Sequence, residues 1–549
     1  PQLWSCESPQ LYNAEVVVTA DGMVVDSLTE QFGIRSLEFS PEFGFKLNGK
    51  KIFLQGNANH HDLGALGATC YDKAIERMML QLKSFGYNCI RCSHNPYSDS
   101  FARIADRVGI LVVDELTDKW SDNDYWGGRQ PFTHIWHKLI TEWIKRDRNR
   151  PSIILWSLGN ELQIREGWAG FEGTNDWGIT TYNIFNQLVK RWDHTRLTTV
   201  AMFPARAGAI TRHDKEFNDY LVPPELACAT EVASFNYQSD KYDAYLKYRP
   251  DLILFQSEAE TSNLLQPYYN MDKERMVGIA YWGSVEYWGE SNKWPKKGWN
   301  YSFFEHTMRP YPQAYLIKTA FMPEIPEVHI GVVDAAGAES VSWNDVIVGR
   351  MALNECWNHT PGSRRSLFTF TNAHSVELLV NGQSMGIQKN DTTRANLRNM
   401  IYWKDVPYGN GGSVVAIARD KSGKEVARHR IETAGKAVAL RIEAETPTDW
   451  KADGMDLQYI NVTVIDKKGR PVWDYNEPLT LQMEGAARLV ALDNGDHYTD
   501  ELFHGITSKR MYQGRMQIIL RSDQEAGNVT VKISSAGLKG TLRLKTIKE

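Results

Sequence analysis

Cysteine is scarce in this chain. Cys6, Cys70, Cys89, Cys92, Cys228 and Cys356 are six thiols in 549 residues, too few and too scattered for a disulfide framework. The C-x-x-C of Cys89 and Cys92 lies inside a strand-like run, so it reads as core thiols rather than a redox turn, and the compartment stays undecided. Long apolar runs are missing, and none approaches the roughly 20 residues that span a bilayer. One-sided charge is missing too: a net charge of −5 over this length gives no field suited to nucleic acid or an anionic membrane. The sequence begins at Pro1 without a methionine and shows no signal peptide. Four Asn-x-Ser/Thr sites, at Asn358, Asn390, Asn461 and Asn528, are what chance supplies and carry no weight.

What is present is ordinary soluble composition, 42% apolar and 23% charged, in a chain too long for one hydrophobic core. Eighteen Trp and twenty-four Tyr suit the faces of sugar rings, although β-rich cores use them as well. The first forty residues hold two strand-like runs joined at Asp21-Gly22, a hairpin signal. Two strands do not make a domain, so residues 1–40 are expected to be the end of an immunoglobulin-like β-sandwich that continues upstream. From residue 41 to 325 short apolar strands alternate with amphipathic helices. Eight such strands over about 280 residues have the size and order of a (β/α)8 TIM barrel. Segment Phe203–Glu231 fits this order least well. Beyond Pro326 helical periodicity gives way to strands separated by turns, predicting two β-sandwiches at 326–435 and 436–549. The second is expected to be immunoglobulin-like. The fold expected is therefore a TIM barrel with a partial sandwich before it and two sandwiches after it.

The stretch Ser152-Ile153-Ile154-Leu155-Trp156-Ser157-Leu158-Gly159-Asn160-Glu161 organises this reading. Its apolar part is a strand buried on both faces, and it ends in an amide and a carboxylate. Polar groups are costly as core, but the C-terminal ends of barrel strands are where such enzymes keep their chemistry. Leu252-Ile253-Leu254-Phe255-Gln256-Ser257-Glu258 repeats the pattern. On strands four and seven, Glu161 and Glu258 face each other across the barrel mouth. Two carboxylates flanking a sugar bond are what glycoside hydrolysis uses. Spacing in sequence leaves retaining and inverting outcomes both open. Polar residues crowd the other strand ends as well: His60, His61 and Asp62; Arg91, His94 and Asn95; Asp114 and Glu115; Asn236 and Tyr237; Trp282.

Taken together, Phe32-Gly33-Ile34-Arg35, Asn48-Gly49-Lys50, Arg91-Cys92-Ser93-His94-Asn95-Pro96, Val112-Val113-Asp114-Glu115, Trp156 to Glu161, and Ser257-Glu258 resemble glycoside hydrolase family 2, especially its β-galactosidases. The resemblance implies a retaining mechanism with Glu161 as acid/base and Glu258 as nucleophile. It implies that Asn160 binds the sugar 2-hydroxyl and that Tyr237 orients the nucleophile. It further implies that His60, Asp62, Arg91, His94 and Trp282 line the sugar site. The activity implied is exo-hydrolysis of terminal β-D-galactosides. It implies no cofactor, a carbohydrate partner, and a periplasmic or extracellular setting; homo-oligomerisation stays open.

Departures from the family pattern qualify that picture. A magnesium-binding Glu-x-His follows the Asp-Glu pair in lactose-cleaving members, whereas Leu116-Thr117-Asp118-Lys119-Trp120 stands here, so no metal is expected. Ser93-His94 argues against mannose. Lys296 and Lys297 fall near the place of a glucuronidase Asn-x-Lys pair, with Pro295 in place of Asn, which keeps an acidic or sulfated sugar as an alternative. The rivals from other classes are a silent carbohydrate-binding protein on the same fold and a phosphate-binding barrel. Glu286 and Glu290, mixed with the nearest candidate glycines Gly283 and Gly289, would repel phosphate.

Overall fold

The structure, a computed structural model, describes residues 1–120, 131–162, 178–202, 222–261, 265–291, 294–334, 340–343 and 346–548. The weakly periodic segment Phe203–Glu231 lies outside the described residues up to position 221, and a short helix, Glu225–Ala229, follows.

Eight parallel strands close into a barrel: β1 (Leu54–Asn59), β2 (Cys89–Cys92), β3 (Leu111–Glu115), β4 (Ile153–Asn160), β5 (Leu197–Met202), β6 (Val232–Asn236), β7 (Leu254–Ala259) and β8 (Gly278–Trp282). The ring shuts where Gly278 pairs with Leu54 and Trp282 with Ala58. Every residue of β4 is buried, as its apolar run requires. Helices α1 (Asp72–Ser84), α2 (Asp99–Val108), α3 (Phe132–Asp147) and α4 (Ile179–Trp192) follow the first four strands in turn. Local chemistry sets their limits. Ser98 caps α2 by accepting the Phe101 N–H, and Gly109 ends it in the left-handed region with φ 77°. In α4, Tyr182, Phe185 and Val189 recur at helical spacing and are buried.

Two strands run further than their apolar residues indicate. The first, β1, starts at Leu54 and continues past its apolar residues through Asn59. Gly56 makes this close packing possible, since a Cβ there would meet the Ala280 Cβ at 2.9 Å. Likewise β7 continues through Gln256, Ser257 and Glu258. The ladders also slip where the polar groups begin. Between β4 and β5, Thr199 pairs with Ser157 and Ala201 with Asn160, leaving one extra residue in β4. Between β6 and β7, Phe235 pairs with Gln256 and Asn236 with Glu258, leaving Ser257 extra. Such irregularities re-aim side chains.

The chain divides into two compact units, Pro1–His61 with Met79–Gly283 and Ser342–Val348, and Asp62–Met78 with Ser284–Val341 and Gly349–Glu549. In the first unit, a hairpin pairs Tyr12–Ala20 with Met23–Phe32. Asp21 and Gly22 both take positive φ, 51° and 80°, as a type I′ turn demands. Val16, Val17, Val18, Val24, Val25 and Leu28 of this hairpin are exposed. Around it the chain is anchored to the barrel: Trp4 is buried and donates to the Asp106 carbonyl at 2.7 Å, while Arg35 donates to the Pro151 carbonyl at 2.8 Å.

In the second unit, sheets ordered 353–354, 328–333, 364–371, 400–407 and 383–389, 375–380, 413–419, 425–432 share a core containing Ile330, Leu367, Val376, Leu378, Val414 and Ala416. A further pair of four-stranded sheets occupies 437–545 around Ile460, Val462, Leu481, Ile518, Val531 and Ile533. Both arrangements are β-sandwiches. No helix among the described residues is long and apolar enough to cross a membrane.

Candidate active site

The site is built on barrel strand ends. Arg91 from β2 is fully buried and holds two carboxylates at once. Its Nη1 donates to Glu258 Oε1 at 2.7 Å, and its Nη2 and Nε donate to Glu115 Oε2 at 2.8 and 3.1 Å. A buried guanidinium without partners would be costly, and removing one partner from such a pair costs about 3–5 kcal/mol. Arg91 is therefore part of the framework as well as the site. Glu115 also accepts from Ser157 Oγ at 2.6 Å and pairs with His94 Nδ1 at 2.7 Å. Burial alone would raise its pKa, but Arg91, His94 and Ser157 outweigh burial and hold it below the usual value.

Glu258 and Glu161 sit in different surroundings. Glu258 is 2% exposed and accepts from Arg91 and from Tyr237 Oη, the latter at 2.8 Å. Tyr237 reaches it from a left-handed backbone with φ 59°, its own N–H donating to the Glu258 carbonyl at 2.8 Å. Burial holds Glu258 above the ordinary carboxylate value, and these two donors oppose it without cancelling it. Glu161 follows β4, also with positive φ of 47°, and its N–H donates to the Ala201 carbonyl at 2.7 Å. Its Oε1 accepts from Asn236 Nδ2 at 3.0 Å. Burial and the Glu258 charge push Glu161 up to about 7, against weaker pulls from Lys119, Asn236 and His94.

Asn160 ties the two halves together. Its Oδ1 accepts from Arg91 Nη2 at 2.9 Å and Asn236 Nδ2 at 3.1 Å. Its Nδ2 donates to Asp118 Oδ1 at 3.1 Å and His94 Nε2 at 3.3 Å, so all four of its hydrogen-bonding capacities are used. His94 then accepts at Nε2 and donates at Nδ1, the neutral tautomer, in keeping with burial lowering its pKa. His94 stacks on Trp282, centroids 5.3 Å apart and planes within 5°, and His60 stands edge-on to Trp282 at 5.0 Å.

Of the residues singled out from sequence, Arg91, His94, Asn160, Glu161, Tyr237 and Glu258 are joined by hydrogen bonds, with Trp282 and His60 beside them as rings. Asp62 belongs to the second unit, where its two oxygens accept the Gly64 and Trp288 backbone amides at 2.8 and 3.1 Å. Lys296 also lies in that unit, buried with its Nζ 4.0 Å from the Tyr301 ring centre. Three members of the network were not singled out as site residues. Asp118 bonds Asn160, Lys119 Nζ donates to Asp118 at 2.5 Å and to the Asn160 carbonyl at 3.1 Å, and Ser157 bonds Glu115. The signal available for the first two was an opposite-charge pair placed just past a strand that ends in Asp-Glu.

The chain was compared with known proteins. Residues 42–275 match the family described as glycosyl hydrolases family 2, TIM barrel domain. Residues 1–35 match glycosyl hydrolases family 2, and residues 440–542 match glycoside hydrolase family 2 C-terminal domain 5. A protein of Formosa agariphila carrying the provisional name β-glucuronidase is 44% identical over the whole chain, which covers 54% of that protein. A β-galactosidase of Bacteroides ovatus is 27% identical over 98% of the chain and 66% of its own length. The crystal structure of a glycosyl hydrolase family 2 member from Bacteroides cellulosilyticus superposes with a TM-score of 0.84 at 29% identity, covering 99% of this chain and 68% of that one. The chain thus spans between about half and two thirds of the length of these curated relatives. With a closed barrel, two carboxylates at the ends of its strands and these matches along its length, the chain belongs to glycoside hydrolase family 2.

Proposed function

We propose that the protein is a retaining exo-β-glycosidase that releases terminal β-D-galactose through a covalent glycosyl-enzyme. The observation that carries this reading is the inequality of the two carboxylates. Burial raises both, but at Glu258 the Arg91 and Tyr237 donors favour the anion, whereas at Glu161 the Glu258 charge adds to burial and pushes it up to about 7. In the first step a Glu258 oxygen bonds to the anomeric carbon while Glu161 delivers its proton to the departing glycosidic oxygen. Esterification removes the Glu258 charge that helped raise Glu161, so Glu161 becomes a better match for its second task, taking a proton from water. Tyr237 and Arg91 hold the attacking carboxylate, and Asn160 binds the 2-hydroxyl, as the family resemblance implies, by exchanging one of its protein partners for the sugar. The exo mode and the terminal sugar rest on the family resemblance.

The 44% identical relative supports a second reading, a β-glucuronidase. Against it, Arg91 and Lys119, the cations within the described hydrogen-bonded network, are already engaged by protein carboxylates, which favours a neutral sugar. Comparing kcat/KM on aryl β-galactoside and aryl β-glucuronide, with the complete protein, decides between them. Azide tests the two roles. Glu161→Ala should keep cleaving dinitrophenyl glycosides slowly and be rescued to the β-glycosyl azide. Glu258→Ala should lose activity on all leaving groups and give at most the α-azide. The opposite products would exchange the roles, and indifference to both substitutions would leave a carbohydrate-binding protein.

A further inference from the structure

Within the second unit, three side chains from distant parts of the sequence meet in a buried cluster. Glu286 follows the last barrel strand by a few residues, His306 lies in the next long loop, and His497 follows the strand Ala487–Asp493. Glu286 Oε2 is 3.0 Å from His306 Nδ1 and 3.5 Å from His497 Nε2, and one ligand atom from each residue lies within 4.8 Å of the others. A tetrahedral ion with bonds of about 2.0–2.1 Å sets its ligand atoms about 3.3 Å apart, between those two distances.

The surroundings are arranged as a ligand set. His306 Nε2 is bonded to Asp493 Oδ1 at 3.0 Å, and that oxygen also accepts the Gly495 N–H at 3.0 Å. A carboxylate behind a histidine fixes its ring and presents the opposite nitrogen, here Nδ1, to an ion. The other Glu286 oxygen, Oε1, is occupied by Tyr311 Oη at 2.7 Å with Arg350 Nη1 at 3.8 Å, while Oε2 faces the two rings and also accepts the His306 backbone N–H at 3.2 Å. His497 is the decisive member. It is 4% exposed, yet neither of its ring nitrogens makes a hydrogen bond. Buried polar nitrogens are ordinarily paired, and an imidazole left unpaired against a carboxylate and a second imidazole has the environment of a ligand. Its loop is held in place by the Lys297 N–H donating to the His497 carbonyl at 3.3 Å.

We propose that Glu286, His306 and His497 form a binding site for a divalent transition-metal ion of the zinc class. Two imidazoles and one carboxylate select zinc-like ions over magnesium or calcium, which prefer oxygen. Three protein ligands leave a fourth position for water or a ligand group, and Glu286 and His497 both line a cleft of about 170 Å³. None of the three residues belongs to the loop after Glu115 where lactose-cleaving relatives would place magnesium. A second His and Glu cluster, His329, Glu355 and His429, shares one of these features, since the buried His329 Nε2 makes no hydrogen bond and lies 3.0 Å from Glu355 Oε1, but its second imidazole is not available. Its two imidazoles lie face to face, 4.0 Å between centres and 25° between planes, and His429 Nδ1 already accepts the Ile330 N–H at 3.0 Å. It serves as an internal control.

The test uses the tag-free whole chain, stripped with chelator and titrated with Zn2+ alone against a chromophoric competitor. One tight equivalent is expected, with a rise in Tm on zinc addition. His497→Ala should lose both. Because the buried ring also packs on Trp288 and His306, with centroids 4.9 and 5.2 Å away, the variant's metal-free Tm should fall somewhat. Far-UV circular dichroism with a His497→Gln variant, which keeps most of the volume but not the imidazole, separates lost zinc binding from lost folding. Asp493→Asn should weaken zinc about 10–100-fold. His329→Ala with His429→Ala should retain the equivalent. Cobalt in place of zinc should give the intense visible bands of a tetrahedral site, absent in His497→Ala. A wild-type chain without a tight equivalent, or His497→Ala that keeps it, would overturn the proposal.

Discussion

Glu161 and Glu258 are both buried carboxylates, and the difference in what touches them has measurable consequences. If Glu161 delivers the proton, kcat/KM must fall as pH rises through about 7, where that carboxyl loses it. Glu161→Gln assayed on a dinitrophenyl glycoside should lack this alkaline limb. Tyr237→Phe removes one donor to the Glu258 anion, so the Glu258 pKa should rise and the acidic limb should move to higher pH. A limb that stays in place would show that Tyr237 does not hold the nucleophile. Stability should respond in the matching direction. Glu161 has its folded pKa raised from 4.5 to about 7, so between those values the folded chain keeps a proton that the unfolded chain has lost. Stability therefore falls as pH rises across that window, and the whole penalty is present above 7. Glu161→Gln should stabilise the protein by roughly 1–3 kcal/mol at pH 8 and by nearly nothing at pH 4, read from denaturant unfolding.

At the scale of strands and helices, the barrel depends on two close backbone approaches on either side of its closing seam. Gly278 of β8 has no room for a side chain, since a Cβ would lie 2.4 Å from both the carbonyl oxygen and the Cβ of Leu54 in β1. Gly278→Ala should therefore destabilise by about 1–3 kcal/mol or more, with thermal unfolding as the measurement. An unchanged Tm would mean that the seam can give way. Segments with one clear period were legible from sequence alone. In helix α4, Tyr182, Phe185 and Val189 mark one face, and β4 opens with the apolar run Ile153 to Trp156. Strand ends carrying polar groups were less legible. Asn57, Asn59, Gln256 and Ser257 interrupt the apolar pattern, but inside a barrel they are buried with the rest, so β1 and β7 run through them. The carboxylates showed themselves by standing at the ends of apolar runs. Asp118, Lys119 and Ser157 did not, because their importance lies in partners up to 42 residues away that only the closed barrel brings together. Asp62 shows the converse: a polar residue in a promising run whose oxygens cap backbone amides.

On the scale of the whole chain, the two compact units are not successive blocks of sequence. Asp62–Met78 counts with the second unit, so the boundary falls inside helix α1. There Ala65, Leu66 and Ala74 pack with Leu457, Tyr459, Ala491 and Ile519, and Arg77 makes a two-pronged contact with Glu445 at 2.7 and 2.9 Å. A chain ending at residue 435 removes every one of those partners. It should unfold at lower temperature and be cleaved by protease within 62–78, as mass mapping of the fragments would reveal. Survival of that segment in the shortened chain would show that it folds without them. The same interleaving sets a timetable for synthesis. Arg77 and Glu445 are 368 positions apart, so at about 5–20 residues per second the ribosome needs roughly 20–70 s to supply the second after the first. For that interval the start of α1 emerges with its apolar face uncovered, a waiting period in which a nascent-chain chaperone has a defined stretch to shield and an early release to avoid.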